Sequence, residues 1–276
     1  MTAITQPKHF GEKALLELLL DIGKSAARLT NPDQAVTGFI SMQGCLYNNE
    51  LMVVGRATNG WIDKEKCPTP NELTKLDTAK DHASTVINEL QGDDPCPMKW
   101  VADKWGRQSG STKSYNTKKS AFWRVSHCVL IKLGIVKSDD MSWPSHLVWS
   151  NLYKLAPANG GNPGKKLCDI QLDECVRLLQ LELSTYRPKR LLLLTGLDWA
   201  EPFIRDLEKP SISSQNFKYV EAYAPKYFSN GGTTKIVVAA HPQGKDESTW
   251  VQEVIKAFLN CDCQSEFKKM NLEEAT

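Results

Sequence analysis

Leu51, Met52, Val53 and Val54 run straight into Gly55, Arg56, Ala57, Thr58, Asn59, Gly60 and Trp61. Consecutive apolar residues suit a strand buried on both faces, and the glycine marks its end and the start of a tight loop. The arrangement recurs along the chain. His146 to Ser150 reads as a second strand ending at Asn151, and Arg190 to Thr195 as a third, closed by Gly196. Phe217 to Tyr223 reads as a further strand, and Lys235 to Ala240 as a last one running into His241, Pro242, Gln243, Gly244 and Lys245.

Helical periods fill the intervals. Phe10, Ala14, Leu15, Leu18, Leu19 and Ile22 make one helix within residues 10–29, ended by Asn31 and Pro32. A second lies near Leu73 to Leu90, before a break at Asp94, Pro95, Cys96 and Pro97, and a third spans Ser120 to Leu133. Asp173 to Tyr186 holds Cys175, Leu178, Leu179, Glu182 and Leu183 in register, with Arg187 and Pro188 as its stop. Asp198 caps a helix through Leu207, and Ser248 to Leu259 closes the chain.

Strands alternating with helices predict an α/β fold: a single three-layer domain over residues 1–276 with a central, mainly parallel sheet. Residues 1–47 are its helical cover and residues 99–119 a basic loop insertion. In open α/β sheets, ligands bind beyond the carboxyl ends of the strands. The loops Gly55 to Trp61, Asn151 to Leu155 and His241 to Lys245 are therefore expected to converge on one pocket.

The 276 residues hold 34 Lys and Arg against 32 Asp and Glu, an ordinary globular balance. No apolar run is long enough for a membrane span, and Met1 to Lys8 lack the apolar block of a secretory signal, so a cytoplasmic protein is expected. The eight cysteines are scattered without a Cys-x-x-Cys pair, which predicts reduced thiols and no metal or iron–sulfur centre. Charge is concentrated in one place. From Lys99 to Lys137, nine cations face Asp103 alone, interleaved with Trp100, Trp105, Tyr115, Phe122 and Trp123. That composition suits a surface that holds phosphates and stacks on bases; the plainer alternative is a solvated basic loop flanked by core aromatics. Gly106 to Thr117 is expected to order on binding.

The polar clusters at Gly55 to Trp61, Ser150 to Leu152 and Ala240 to Pro242, with Leu194, Thr195 and Gly196 between them, resemble the motifs of the uracil-DNA glycosylase superfamily over residues 48–258. The resemblance implies a monomeric glycosylase that flips one nucleotide out of double-stranded DNA and hydrolyses its glycosidic bond, with no metal and no cofactor. It implies that His241 donates a hydrogen bond to the developing oxyanion at base O2 and that Asn151 reads the base edge. Gly55, Ala57 and Trp61 would line the base site. Arg107, Lys113, Lys118, Lys119 and Arg124 would hold the DNA, joined by Gln243 and Lys245, which replace the family's apolar wedge.

This chain departs from the pattern at two places. Ala57 stands where family members carry an Asp or Asn to position water, so Asn59 and Asp63, ahead of Glu65, are the catalytic replacements. Asn59 stands where uracil enzymes carry a Tyr that blocks pyrimidine C5. That implies a C5-substituted cytosine such as the glucosylated hydroxymethylcytosine of phage DNA, and hence antiviral defence. The alternatives are uracil excision in repair, an inactive DNA-binding sensor, and a nucleotide enzyme whose Gly55 to Gly60 loop cradles phosphate. Each residue also has a structural alternative: His241 as a satisfied loop histidine, Asn151 as a turn cap, Asp63 as a helix N-cap.

Overall fold

The computed structural model describes residues 10–91, 95–106, 115–205, 217–227 and 233–273; for 90, 91, 225–227 and 262–273 it describes the backbone alone. In chain order the elements are α1 (Glu12–Lys24), β1 (Val36–Gly38), β2 (Met42–Gln43), β3 (Leu51–Ala57), α2 (Leu76–Gln91), α3 (Lys99–Asp103), α4 (Ala121–Lys132) and β4 (Leu147–Tyr153). Then come β5 (Leu155–Pro157), α5 (Lys165–Tyr186), β6 (Arg190–Leu193), α6 (Leu197–Ile204), β7 (Val220–Tyr227), β8 (Thr233–Ala239) and α7 (Glu247–Glu273). The fold is mixed α/β. Six strands form a mainly parallel sheet in the order β2-β4-β3-β6-β8-β7, and β1 pairs antiparallel with β5. None of the described helices is long and apolar enough to cross a membrane.

Residues Met1–Met42, Gly55–Pro95 and Ser150–Thr185 form one compact unit; Gln43–Val54, Cys96–Trp149 and Tyr186–Thr276 form the other. In the first, α1 buries Leu15, Leu18, Leu19 and Ile22 and packs against α2 and the turn Glu72–Thr74. The approach is close enough to require glycine, because a Cβ on Gly23 would lie 2.5 Å from the Leu73 carbonyl carbon. In the second unit β3, β6 and β8 are parallel and in step, with Val54 opposite Leu193 and Leu193 opposite Val238. Their carboxyl ends therefore leave the sheet at one edge. Antiparallel β7 covers β8, since Tyr227 and Thr233 are too close in sequence for the crossover that a parallel pair needs. Helix α7 packs on β7, β8 and α4.

Several boundaries differ from the sequence expectation for identifiable reasons. Strand β3 continues through Gly55 to Ala57, because the first left-handed glycine of the loop is Gly60, at φ +62°. Strand β4 continues to Tyr153, so Asn151 lies inside the strand rather than after it. Helix α5 begins at Lys165 rather than Asp173. Its early turns carry Gln171, a buried polar residue that breaks the apolar period yet bonds both backbone groups of Leu155, at 2.9 and 3.0 Å. The strand expected at Phe217 to Tyr223 is displaced to Val220–Tyr227. Helix α6 starts after Gly196 with Asp198 in its first turn, and the expected end at Leu207 lies outside the described residues. Within the expected basic loop, Lys99–Asp103 is helical and Thr117–Lys119 a single 3-10 turn.

Candidate functional site

In the first unit, Gly55 is buried within β3 and Ala57 closes the strand, half-buried like Trp61. Thr58 then turns inward. It is buried, and its hydroxyl has no hydrogen-bond partner among the described residues. Asn59 is exposed, and its Oδ1 accepts the Gly161 N–H at 2.7 Å, latching this loop to the turn after β5. That turn has glycines at φ +93° and +91°, and a Cβ on Gly160 would come 2.9 Å from Asn59 Oδ1. Asp63 is exposed and caps the turn Lys64–Lys66, accepting the Glu65 N–H at 3.2 Å. Both residues expected to position water therefore hold backbone N–H groups with a side-chain oxygen.

Asn151 is 2% exposed, and its Nδ2 has no hydrogen-bond partner among the described residues. An unmet buried donor costs about 1–3 kcal/mol, so a ligand that supplies an acceptor recovers that energy. The backbone here is held by an ion pair that the sequence reading missed. Lys154 Nζ donates to the Asn151 carbonyl, Ser150 Oγ and Glu182 Oε1, each at 2.7 Å, and Ser150 Oγ donates to Glu182 Oε2 at 2.8 Å. Both charged side chains are fully buried, at 0% and 1% exposed. The available signal was a lysine within the apolar run Leu152 to Ala156 and a glutamate on the apolar stripe of α5.

In the second unit, β8 delivers His241 half-buried, with Nδ1 accepting the Gln243 N–H at 3.3 Å. That bond puts the proton of the neutral ring on Nε2, making it a donor. The strand exit is fixed from behind: Trp250 of α7 donates Nε1–H to the Ala240 carbonyl at 2.8 Å, and the Ala240 N–H donates to the Tyr219 carbonyl at 2.8 Å. Gln243 and Lys245 are exposed beside Gly244, whose φ is +72°.

No family model matches this chain, and neither does any curated protein.

Within the basic segment of the second unit, Lys118 and Lys119 are exposed on their turn. Arg124 is engaged internally: Nε reaches both Glu247 oxygens, at 3.1 and 3.0 Å, and an Nη donates to the Lys118 carbonyl at 2.8 Å. The Glu247 carboxylate raises the pKa of this guanidinium further. Arg107 and Lys113 lie outside the described residues, as does most of the Gly106 to Thr117 loop. The aromatics of this stretch pack on one another. Trp123 sits 5.6 Å from Trp100, 5.2 Å from Trp149 and 4.9 Å from Phe122, while Trp143 stacks on His127 at 4.9 Å and meets Trp105 at 5.2 Å. Tyr115 is the exception at 51% exposed, with its ring 6.4 Å from Trp100.

Proposed function

We propose that this protein is a DNA glycosylase that hydrolyses the N-glycosidic bond of a flipped-out, C5-substituted pyrimidine and leaves an abasic site. Glucosylated hydroxymethylcytosine of phage DNA is the favoured substrate, which makes the biological role antiviral. The supporting observation is the Asn151 amide, buried with no partner for Nδ2 among the described residues, on a strand pinned by Lys154. A side-chain amide in that condition suits the polar edge of a pyrimidine, which offers a ring nitrogen or carbonyl as acceptor.

In this reading the C1′–N bond breaks with its electron pair moving onto the base, where charge collects at O2. The Nε2–H of His241 stabilises that charge, and water attacks C1′ as positive charge builds on the sugar. The proton lost by the water is balanced by the one gained by the departing base. Asn59 and Asp63 are the residues proposed to hold the water. Gly55, Ala57 and Trp61 line the base site, with Asn59 leaving room at C5 for the substituent. Lys118, Lys119, Gln243 and Lys245 meet the DNA backbone.

The test is release of free base from duplexes containing uracil, cytosine, hydroxymethylcytosine or glucosylated hydroxymethylcytosine, comparing wild type with His241→Ala and Asn151→Ala. Release of the glucosylated base, abolished or sharply reduced in both variants, is expected. Release of uracil alone makes the enzyme a repair glycosylase. A second reading, an inactive sensor of modified DNA, is favoured by the local engagement of Asn59 and Asp63. It predicts salt-sensitive binding with no base release from any duplex.

A further inference from the structure

The ion pair under β4 has no stability argument of its own. Burying two opposite charges removes their hydration, and a hydrophobic pair of similar volume commonly stabilises as well or better. What the pair provides is geometry. The three protons of Lys154 Nζ meet three acceptors, Ser150 Oγ, the Asn151 carbonyl and Glu182 Oε1, each at 2.7 Å, and the second Glu182 oxygen takes the Ser150 hydroxyl at 2.8 Å. Ser150 and Asn151 are consecutive in β4, and successive side chains on a strand point to opposite faces. The side that reaches Ser150 is bolted to α5 through Glu182; the opposite face carries the Asn151 amide, whose Nδ2 has no partner among the described residues.

We infer that Lys154, Glu182 and Ser150 are positioning residues that set the angle at which Asn151 presents its Nδ2–H pair to a hydrogen-bond acceptor on the Watson–Crick edge of a pyrimidine. This inference rests on the glycosylase reading for the ligand but not for the positioning. Lys154 holds the Asn151 backbone carbonyl, so without the clamp the strand at Asn151 can shift and carry the amide away from the base edge it reads. The charged clamp fixes it, so its effect falls on turnover and base choice.

The experiment pairs Lys154→Met/Glu182→Met, which removes the clamp without stranding a charge, with Ser150→Ala, which removes one link. The double variant is expected to keep its melting temperature. Its kcat for base release is expected to fall about 100-fold, as a misplacement of about 1 Å does, with KM for the duplex little changed and a narrower preference between substituted cytosine and uracil. The Ser150→Ala variant shows the same trends, smaller. Side-chain amide NMR supplies a readout that needs no chemistry: Asn151, assigned by its loss in Asn151→Asp, gives one sharp dispersed pair in wild type and shifted or broadened signals in the double variant. Wild-type kcat and selectivity in the folded double variant, or unchanged Asn151 amide resonances, overturn the inference. If wild-type protein releases no base from any duplex, the glycosylase reading fails, and the amide spectrum alone decides the positioning.

Discussion

Around β4 a lysine and a glutamate lie fully inside the protein and the amide beside them has a donor with no partner among the described residues; around α4 the lysines stay in water while Trp123, Trp143 and Trp149 are buried. Residue types mislead in both regions. The stretch richest in cations and aromatics looks like a base-stacking surface, yet its rings are largely engaged with each other and Arg124 is paired with Glu247. The stretch Leu152 to Ala156 looks like ordinary apolar strand around one lysine, yet that lysine is fully buried and holds Glu182, Ser150 and the Asn151 carbonyl. Burial explains the difference. Aromatic rings gain by leaving water, whereas a charge leaves water only when partners complete its hydrogen bonds.

The sharpest way to break this contrast is to remove one charge from the buried pair. Lys154→Met alone strands the Glu182 carboxylate and is expected to destabilise by about 3–5 kcal/mol in urea unfolding, whereas adding Glu182→Met recovers most of the loss. If the single variant is neutral, the pair is not buried as described. The next effect concerns His82, which is buried in α2. Burial pulls its pKa down from 6.5 to about 4, with the Lys66 backbone offsetting part of the shift. As the pH falls, the unfolded chain takes up this proton first, so stability is full above about pH 6.5 and is lost progressively towards pH 4. The loss amounts to about 3 kcal/mol. Comparing His82→Leu with wild type by unfolding at pH 7 and pH 4.5 isolates this contribution, and parallel curves for the two proteins would refute it.

Smaller changes sharpen the comparison. Thr58→Val replaces a buried hydroxyl that has no partner among the described residues by a methyl, so stability is expected to stay within about 1 kcal/mol of wild type or rise. Any accompanying fall in base release marks that hydroxyl as touching the ligand. Lys118→Ala/Lys119→Ala is expected to leave the melting temperature unchanged. Binding to duplex DNA, titrated from low to moderate salt, should show a slope of log affinity against log salt shallower by about 2, roughly one for each phosphate no longer neutralised. An unchanged slope removes these lysines from the DNA surface.

Much of the fold was legible because burial imposed a simple period. Leu51 to Val54, Leu191 to Leu193 and Ile236 to Val238 are apolar runs and form the parallel centre of the sheet, while α1 and α4 follow from helical spacing. The errors cluster where a polar residue is buried. Asn151 hid the end of β4, and Gln171 hid the start of α5 by taking a core position and bonding Leu155 like a neighbouring strand. Of the candidate site, His241 to Lys245 follows its strand as expected, whereas Gly55 to Ala57 and Asn151 to Tyr153 are strand rather than loop, and the condition of the side chains was not legible. Asp63, expected to position water with an N-cap as its structural alternative, caps the turn Lys64–Lys66.

The sequence by itself determined the alternation of strands and helices, the concentration of charge between Lys99 and Lys137, and which polar residues stand after or near the apolar runs. Only the tertiary structure decided which of those groups are satisfied. Asn59 finds its N–H donor 102 positions away at Gly161, Lys154 finds its carboxylate 28 positions away at Glu182, and Asn151 finds no partner for Nδ2 among the described residues. Local pattern reports whether a segment is to be buried, through the hydrophobic effect on its own side chains. Hydrogen-bond satisfaction depends on direction and distance to groups remote along the chain, and folding is what brings them within reach.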